Sequence, residues 1–255
     1  MKLHGSLKHA VEPLDRRLRP GAVPAVISFP KSGRTWLRIM LEALGIEAEF
    51  SHAGSSEAHG RTADELRDGP AYWRGRRVLF LMRDPKDTAV SAWFQATRRA
   101  RVYEGALPDF LRDPRYGIEK VVRFHLLWLE SASRFRAFLP MQYDALRQDT
   151  ARHLSQAARF LSGREAAPDS VAGAIEAGAF ERMRALETSG EGAARYGARL
   201  SPADPNDPDS FKTRRGTIGG WKEHFSPDDT AFAEEVFDRL RYYQRLAEAG
   251  LAPKA

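Results

Sequence analysis

Residues 25–44 constrain the fold more than any other stretch of the chain. Ala25-Val26-Ile27-Ser28-Phe29 is a short apolar run with β-branched members. The polar turn Pro30-Lys31-Ser32-Gly33-Arg34-Thr35 follows, and after it Leu37, Met40, Leu41 and Leu44 recur at i, i+3, i+4 and i+7. The first run reads as a buried strand and the second as a one-sided helix stopped by Gly45. The pattern returns at Val78-Leu79-Phe80-Leu81-Met82, which ends in the charged turn Arg83–Asp87. There Asp84 as N-cap and Pro85 at the first helical position predict a helix through Val90, Trp93 and Phe94. Glu47–His52 and Leu139–Tyr143 read as further short strands. Strands alternating with helices predict an α/β fold, three layers deep, with a central, mostly parallel sheet flanked by helices.

The rest of the chain is mainly helical text. Val122, Leu126 and Leu129 mark a helix over 119–137, and Leu154, Ala157, Ala158 and Leu161 mark one over 150–161. A last helix is expected from Ser226-Pro227-Asp228-Asp229 to about Ala249, with Phe232, Val236, Leu240 and Tyr243 on one stripe. Residues 187–212, rich in Gly, Ala, Pro and Asp, read as a mobile loop, and 1–22 as a charged N-terminal arm. The 255 residues, 42% of them hydrophobic, suit a single domain spanning 1–255 with one substantial core. Cysteine is absent, which excludes disulfides and thiolate chemistry. No apolar stretch approaches the ~18 residues of a membrane span. The opening residues lack the apolar segment of a secretion signal, so the expected location is cytoplasmic. The net charge of +6 suits an anionic ligand. Because basic and acidic residues are interleaved and not in blocks, nucleic acid is not an expected partner.

Three segments carry chemistry. In Pro30–Trp36, a turn between strand and helix N-terminus offers successive backbone N–H groups to an anion, with Gly33 allowing close approach. Lys31 adds a full charge, and Ser32 and Thr35 add hydroxyls. In Arg83–Ser91 an arginine at the sheet edge and a serine early in the helix could meet one phosphate; a self-neutralising turn of Arg83, Asp84, Lys86 and Asp87 is the plainer reading. In Phe211–Lys222 two adjacent arginines, Arg214 and Arg215, precede Gly216 in what reads as a flap.

Taken in order, PKSGRTW, RDPKDTAVS and RRGTIGGWKEHF resemble the motifs of the nucleotide-dependent sulfotransferase family, usually written PKSGTTW, an Arg and Ser eight apart, and RKGxxGDWKxxF. The likeness spans roughly residues 25 to 235, with Gln142–Leu146 similar to the family's YEDL strand end. It implies a P-loop-NTPase-like fold and a donor, 3′-phosphoadenosine 5′-phosphosulfate (PAPS), whose sulfuryl group passes to a hydroxyl. Adenosine 3′,5′-bisphosphate (PAP) is released and no metal is required. On this resemblance Lys31 neutralises the bridging oxygen of the leaving phosphate. Ser32, Gly33, Arg34 and Thr35 hold the 5′-phosphate, while Arg83, Ser91, Arg214, Arg215 and Gly216 hold the 3′-phosphate. Trp36, Tyr143 and Phe180 enclose the adenine. Core packing is the plainer reading of those three aromatics.

Removing the acceptor's proton calls for a general base. His52, at the end of a strand between the first two motifs, is the leading candidate. His59, His125, Glu47, Glu49 and Glu57 are the others, with His125 on an apolar helix reading as core. Around His52 the text is Phe-Ser-His-Ala-Gly, where cytosolic members commonly show Lys-Thr-His-Leu-Pro. Their dimerisation text, KxxxTVxxxE, aligns with Lys222, Ser226, Pro227 and Ala231; three of the four positions differ, and the oligomeric state stays open. The acceptor is expected to be a small molecule, glycan or lipid. Its contacts are expected from loops 53–75, 98–118 and 187–210, with Tyr72, Trp73, Trp93, Phe94 and Tyr103 as candidate aromatic surface. A P-loop kinase lacks its Walker A text here, and a non-catalytic nucleotide or anion binder predicts no preference for the 3′-phosphate.

Overall fold

A computed structural model describes residues 23–196, 200, 202–214 and 216–251. The expected N-terminal arm, 1–22, and Arg215 lie outside the described residues. Four strands, β1 (Ala25–Ser28), β2 (Glu49–Ser51), β3 (Arg77–Met82) and β4 (Ala137–Gln142), form one sheet in the order β2-β1-β3-β4. All three pairings are parallel, as the continuous apolar runs predict.

Both faces of the sheet are covered, and the alternation of side chains along each strand assigns them. Ile27, Val78 and Phe80 point into a core built with Phe124 and Trp128 of α4 (Ile118–Glu130) and Val236 and Phe237 of α10 (Pro227–Arg239). Val26, Leu79 and Leu81 point the other way, toward Leu37, Met40 and Leu41 of α1 (Arg34–Ala43), Leu154 of α6 (Thr150–Ser162) and Ala174 of α7 (Pro168–Ala177). Helix α2 (Pro85–Phe94) follows β3, and short helices α3 (Leu107–Arg112) and α5 (Tyr143–Gln148) lead into α4 and α6. In register, Ser28 pairs with Leu81 and Leu81 with Met141, so β1, β3 and β4 end side by side. The segments after those ends converge at the carboxyl edge of the sheet, where parallel α/β folds place their ligands.

Several expectations are revised. The helix expected over 119–137 ends at Glu130, because 132–134 form a 3₁₀ turn and Ala137 already enters β4. The strand expected to include Tyr143 stops at Gln142, and Tyr143 opens α5. The last helix is broken: Arg241 adopts φ 53°, and a separate α11 (Tyr242–Glu248) starts after it. The break turns Tyr242 inward, 3% exposed, and leaves Tyr243 at the surface, so Tyr243 does not extend the stripe. Ser226 and Asp229 cap α10 reciprocally, a local duty for the serine in the region where the family's dimerisation text would fall. The expected 187–212 loop is partly helical. Residues 187–189 complete α8 (Phe180–Ser189), and α9 (Glu191–Tyr196) follows, while 197–199 and 201 lie outside the described residues. Trp73 and Phe94 are buried in the core, and Trp93 and Tyr103 pack against other rings. Of the candidate acceptor aromatics only Tyr72 is exposed.

Candidate functional site

A cleft of about 300 Å³ opens at the carboxyl edge of the sheet. The first motif forms its floor. Lys31 and Gly33 both have positive φ, 69° and 89°, so the turn between β1 and α1 is held in a conformation costly for a lysine and natural for a glycine. A Cβ on Gly33 would lie 2.4 Å from a ring carbon of Tyr143, so side-chain-free backbone is needed there twice over. Lys31, Gly33, Arg34, Thr35 and Trp36 line the cleft. Ser32 sits behind the turn, fully buried, its hydroxyl without a partner among the described residues.

Tyr143 ties the motifs together. Its ring packs edge-on to Trp36, lies under the Arg83 guanidinium at 4.9 Å, and its hydroxyl donates to the Gly216 carbonyl at 3.3 Å. Arg83 donates to the carbonyls of Lys31, 3.2 Å, and Thr217, 2.8 Å, and so joins the first motif to the third. Its Nε is buried with no partner among the described residues. Unmet donors of this kind in a cationic cleft fit an anion rich in acceptor oxygens.

The Arg83–Asp87 turn is self-neutralising only in part: Arg83 meets Asp87 at 3.7 Å, while its other two charges serve elsewhere. Asp84 caps α2 by accepting from the Lys86 and Asp87 amides, and Lys86 pairs with Glu234 at 2.7 Å. Asp87 accepts from the backbone N–H groups of Gly219, 2.8 Å, and Trp221, 3.0 Å, anchoring the third motif to the first turn of α2. Ser91, one turn further along, lines the cleft with Arg83, Arg214 and Gly216. Arg214 packs over the Phe94 ring at 4.0 Å and meets Asp209 at 3.5 Å. Phe180 opens α8 at the cleft wall, and neighbouring Gly178 accepts from the Trp36 indole N–H at 2.9 Å. A side chain at Gly178 would strike Met40 and that indole, so the close packing there requires a glycine.

Of the six candidate bases, His52 alone lines the cleft. Its Nδ1 lies 3.0 Å from the Ser28 carbonyl. A carbonyl only accepts, so Nδ1 carries the proton and Nε2 keeps its lone pair. Burial first, and then the Arg34 charge, hold the imidazole well below its ordinary pKa of 6.5, so it is neutral and able to take a proton at neutral pH. His125 is buried against the Tyr242 hydroxyl at 2.8 Å, His59 is held at the surface by the Gly54 carbonyl, and Glu49 pairs with Arg76. Glu47 is exposed, and Glu57 is buried outside the cleft lining.

Three groups escaped the sequence reading. Gln95 accepts from the Lys31 ammonium at 3.3 Å. It reaches that place because residues 95–99 form a π turn after α2, which no 3.6-residue periodicity announces. Glu187, fully buried, accepts from the amides of Lys212 and Thr213 at 2.5 and 2.8 Å. Lys212 itself lines the cleft with Lys31 and His52. Its place in the Phe211–Lys222 motif was the available signal, obscured by the arginines beside it. Burial, with the nearby charges of Lys212, Arg99 and Arg83, drives the Lys31 pKa well down, against the opposing pull of Glu57. Among the described residues no group of three or more His, Asp or Glu is placed to hold a metal ion. No described helix is long and apolar enough to cross a membrane.

Comparison with known proteins gives the family and agrees with the fold. Residues 73–250 match the family described as "Sulfotransferase domain", so the chain belongs to the sulfotransferase family. It is 22% identical to human Sulfotransferase 2A1, covering 88% of this chain and 84% of that one. It is 24% identical to Cytosolic sulfotransferase 3 of Arabidopsis thaliana, covering 87% and 77%. Among solved structures, mouse sulfotransferase SULT7A1 complexed with PAP superposes with a TM-score of 0.60 at 16% identity, covering 91% of this chain and 89% of that one. Retinol dehydratase in complex with androsterone and PAP superposes equally well, at 14% identity over 91% and 82%.

Proposed function

We propose that this chain transfers the sulfuryl group of PAPS to a hydroxyl of a small-molecule, glycan or lipid acceptor and releases PAP. The observation that carries the proposal is the arrangement around His52. A neutral imidazole with its lone pair free shares one cleft with Lys31, while Arg83, Ser91 and Arg214 stand on the flank formed by the second and third motifs. The acceptor oxygen attacks sulfur as its proton passes to His52 Nε2. The bond between sulfur and the bridging oxygen breaks, and its electron pair stays on the phosphate, where the Lys31 ammonium offsets the charge. The turn of Ser32, Gly33, Arg34 and Thr35 holds the 5′-phosphate. Arg83, Ser91, Arg214 and Gly216 hold the 3′-phosphate, together with Arg215, which lies outside the described residues. Trp36, Tyr143 and Phe180 flank the adenine. The PAP in the mouse sulfotransferase and retinol dehydratase complexes supports this choice of donor. A cytoplasmic location goes with the reading, supported by the likeness to a plant cytosolic sulfotransferase.

The test uses ³⁵S-labelled PAPS with an extract of the organism that makes the chain. The unaltered protein is expected to label a product, and Lys31→Ala to label none. Near-native labelling by Lys31→Ala overturns the role given to that lysine.

A further inference from the structure

Six cations line the cleft: Lys31, Arg34, Arg83, Arg147, Lys212 and Arg214. Five have a partner. Lys31 holds Gln95, Arg83 two carbonyls, and Arg147 the face of Trp36, while Arg34 and Arg214 are also engaged. Lys212 alone makes no side-chain hydrogen bond, ion pair or ring contact with a described residue. Its backbone, by contrast, is tightly placed. Glu187 accepts the amides of Lys212 and Thr213, and Arg99 reaches both Glu187, 3.3 Å, and the Ser210 carbonyl, 3.4 Å. Arg184 donates to the Thr213 carbonyl at 2.9 Å and stacks over Phe211 at 3.4 Å. A side chain left without a partner on so firmly held a backbone is set for something the protein does not itself supply.

We propose that Lys212 is a second catalytic cation, set by Glu187 against the oxygens of the sulfuryl group during transfer. The proposal rests on the donor assigned above. Lys31 answers the charge that collects on the leaving phosphate, but the three sulfuryl oxygens also carry negative charge throughout, and they pass between the phosphate turn and His52. Phe50 stands two residues before His52, where the Lys-Thr-His-Leu-Pro text has its lysine, and it lies under Arg38 at 4.2 Å, giving the cleft no charge there. Lys212, which lines the cleft with Lys31 and His52, brings an ammonium there from the irregular 211–214 segment. Its surroundings agree: burial and then the Arg99 charge hold its pKa down to about 8, opposed by Glu57 and Glu187, with Arg34 lowering it further. An ammonium so destabilised gains most when an anion arrives.

The test needs no knowledge of the acceptor, because water can take the sulfuryl group. Water's oxygen bonds to sulfur, the bond to the bridging oxygen breaks, and sulfate, PAP and protons are released. PAP release is followed in single turnovers with the full chain in excess over PAPS, and PAP affinity is measured by calorimetry. Lys212→Met is expected to slow release by about 100-fold while PAP affinity changes less than about 3-fold, and Lys212→Arg is expected to restore most of the rate. Glu187→Gln, which keeps the shape but loses the charge, is expected to slow release by about 10-fold with PAP affinity again retained. A Lys212→Met protein that loses PAP affinity in step with rate, or that loses neither, overturns the proposal. If the unaltered chain does not bind PAP, the donor assignment falls first and this inference with it.

Discussion

His52 combines two properties that a base for hydroxyl activation needs. The Ser28 carbonyl fixes the tautomer, and burial beside Arg34 keeps the ring neutral. The direction of the shift decides the pH behaviour. A histidine whose pKa is lowered keeps its lone pair as pH falls through the ordinary range, so the acid limb of kcat lies below pH 6.5. The account predicts a flat kcat between pH 7.5 and 6.5, with His52→Ala slower by about 100-fold or more. A profile that has lost half its rate by pH 6.5 contradicts the neutral-base assignment. None of this was legible from position 52 alone. Its place between the first two motifs made His52 the leading candidate over His59 and His125, and the structure adds that it alone of the three lines the cleft.

At the scale of elements, the three motifs were legible because each couples a local signal to a chain reversal. Apolar runs ending at Pro30 and Arg83, a capping Asp84 with Pro85, and the paired arginines before Gly216 all announce themselves. What escaped were links made by one element across another. The π turn at 95–99 delivers Gln95 to Lys31, and buried Glu187 at the end of α8 holds the backbone of 212–213. Such links join residues 64 and 25 positions apart, and neither residue type stands out in its own segment. Asp87 is the third link, gripping Gly219 and Trp221 from the first turn of α2. Asp87→Ala leaves both N–H groups unmet and strands Arg83 without its carboxylate. Urea unfolding is expected to show a loss of about 2–4 kcal/mol, with PAP affinity reduced as well. A loss below about 0.5 kcal/mol, within the range of an ordinary surface change, contradicts the anchoring role.

At the scale of the whole molecule, the fold follows from one fact repeated on three strands. Runs apolar on both faces require helices above and below, and parallel strands then finish at one edge with their loops together. That much could be read from residues 25–44 and 77–94. The break at Arg241 and the helical text inside 187–212 could not, because a single residue in the left-handed region and a short helix of modest residues leave no periodic trace. The convergence of the three loops gives the account its central claim: the cleft grips both ends of a doubly phosphorylated adenosine, with Lys31 at one end and Arg83, Ser91 and Arg214 at the other. Calorimetric titration with PAP against ADP tests it most directly, since ADP lacks the 3′-phosphate. The account predicts that PAP binds at least about 30-fold more tightly, the worth of about 2 kcal/mol of charge-assisted hydrogen bonds. Equal affinity for the two nucleotides would contradict it.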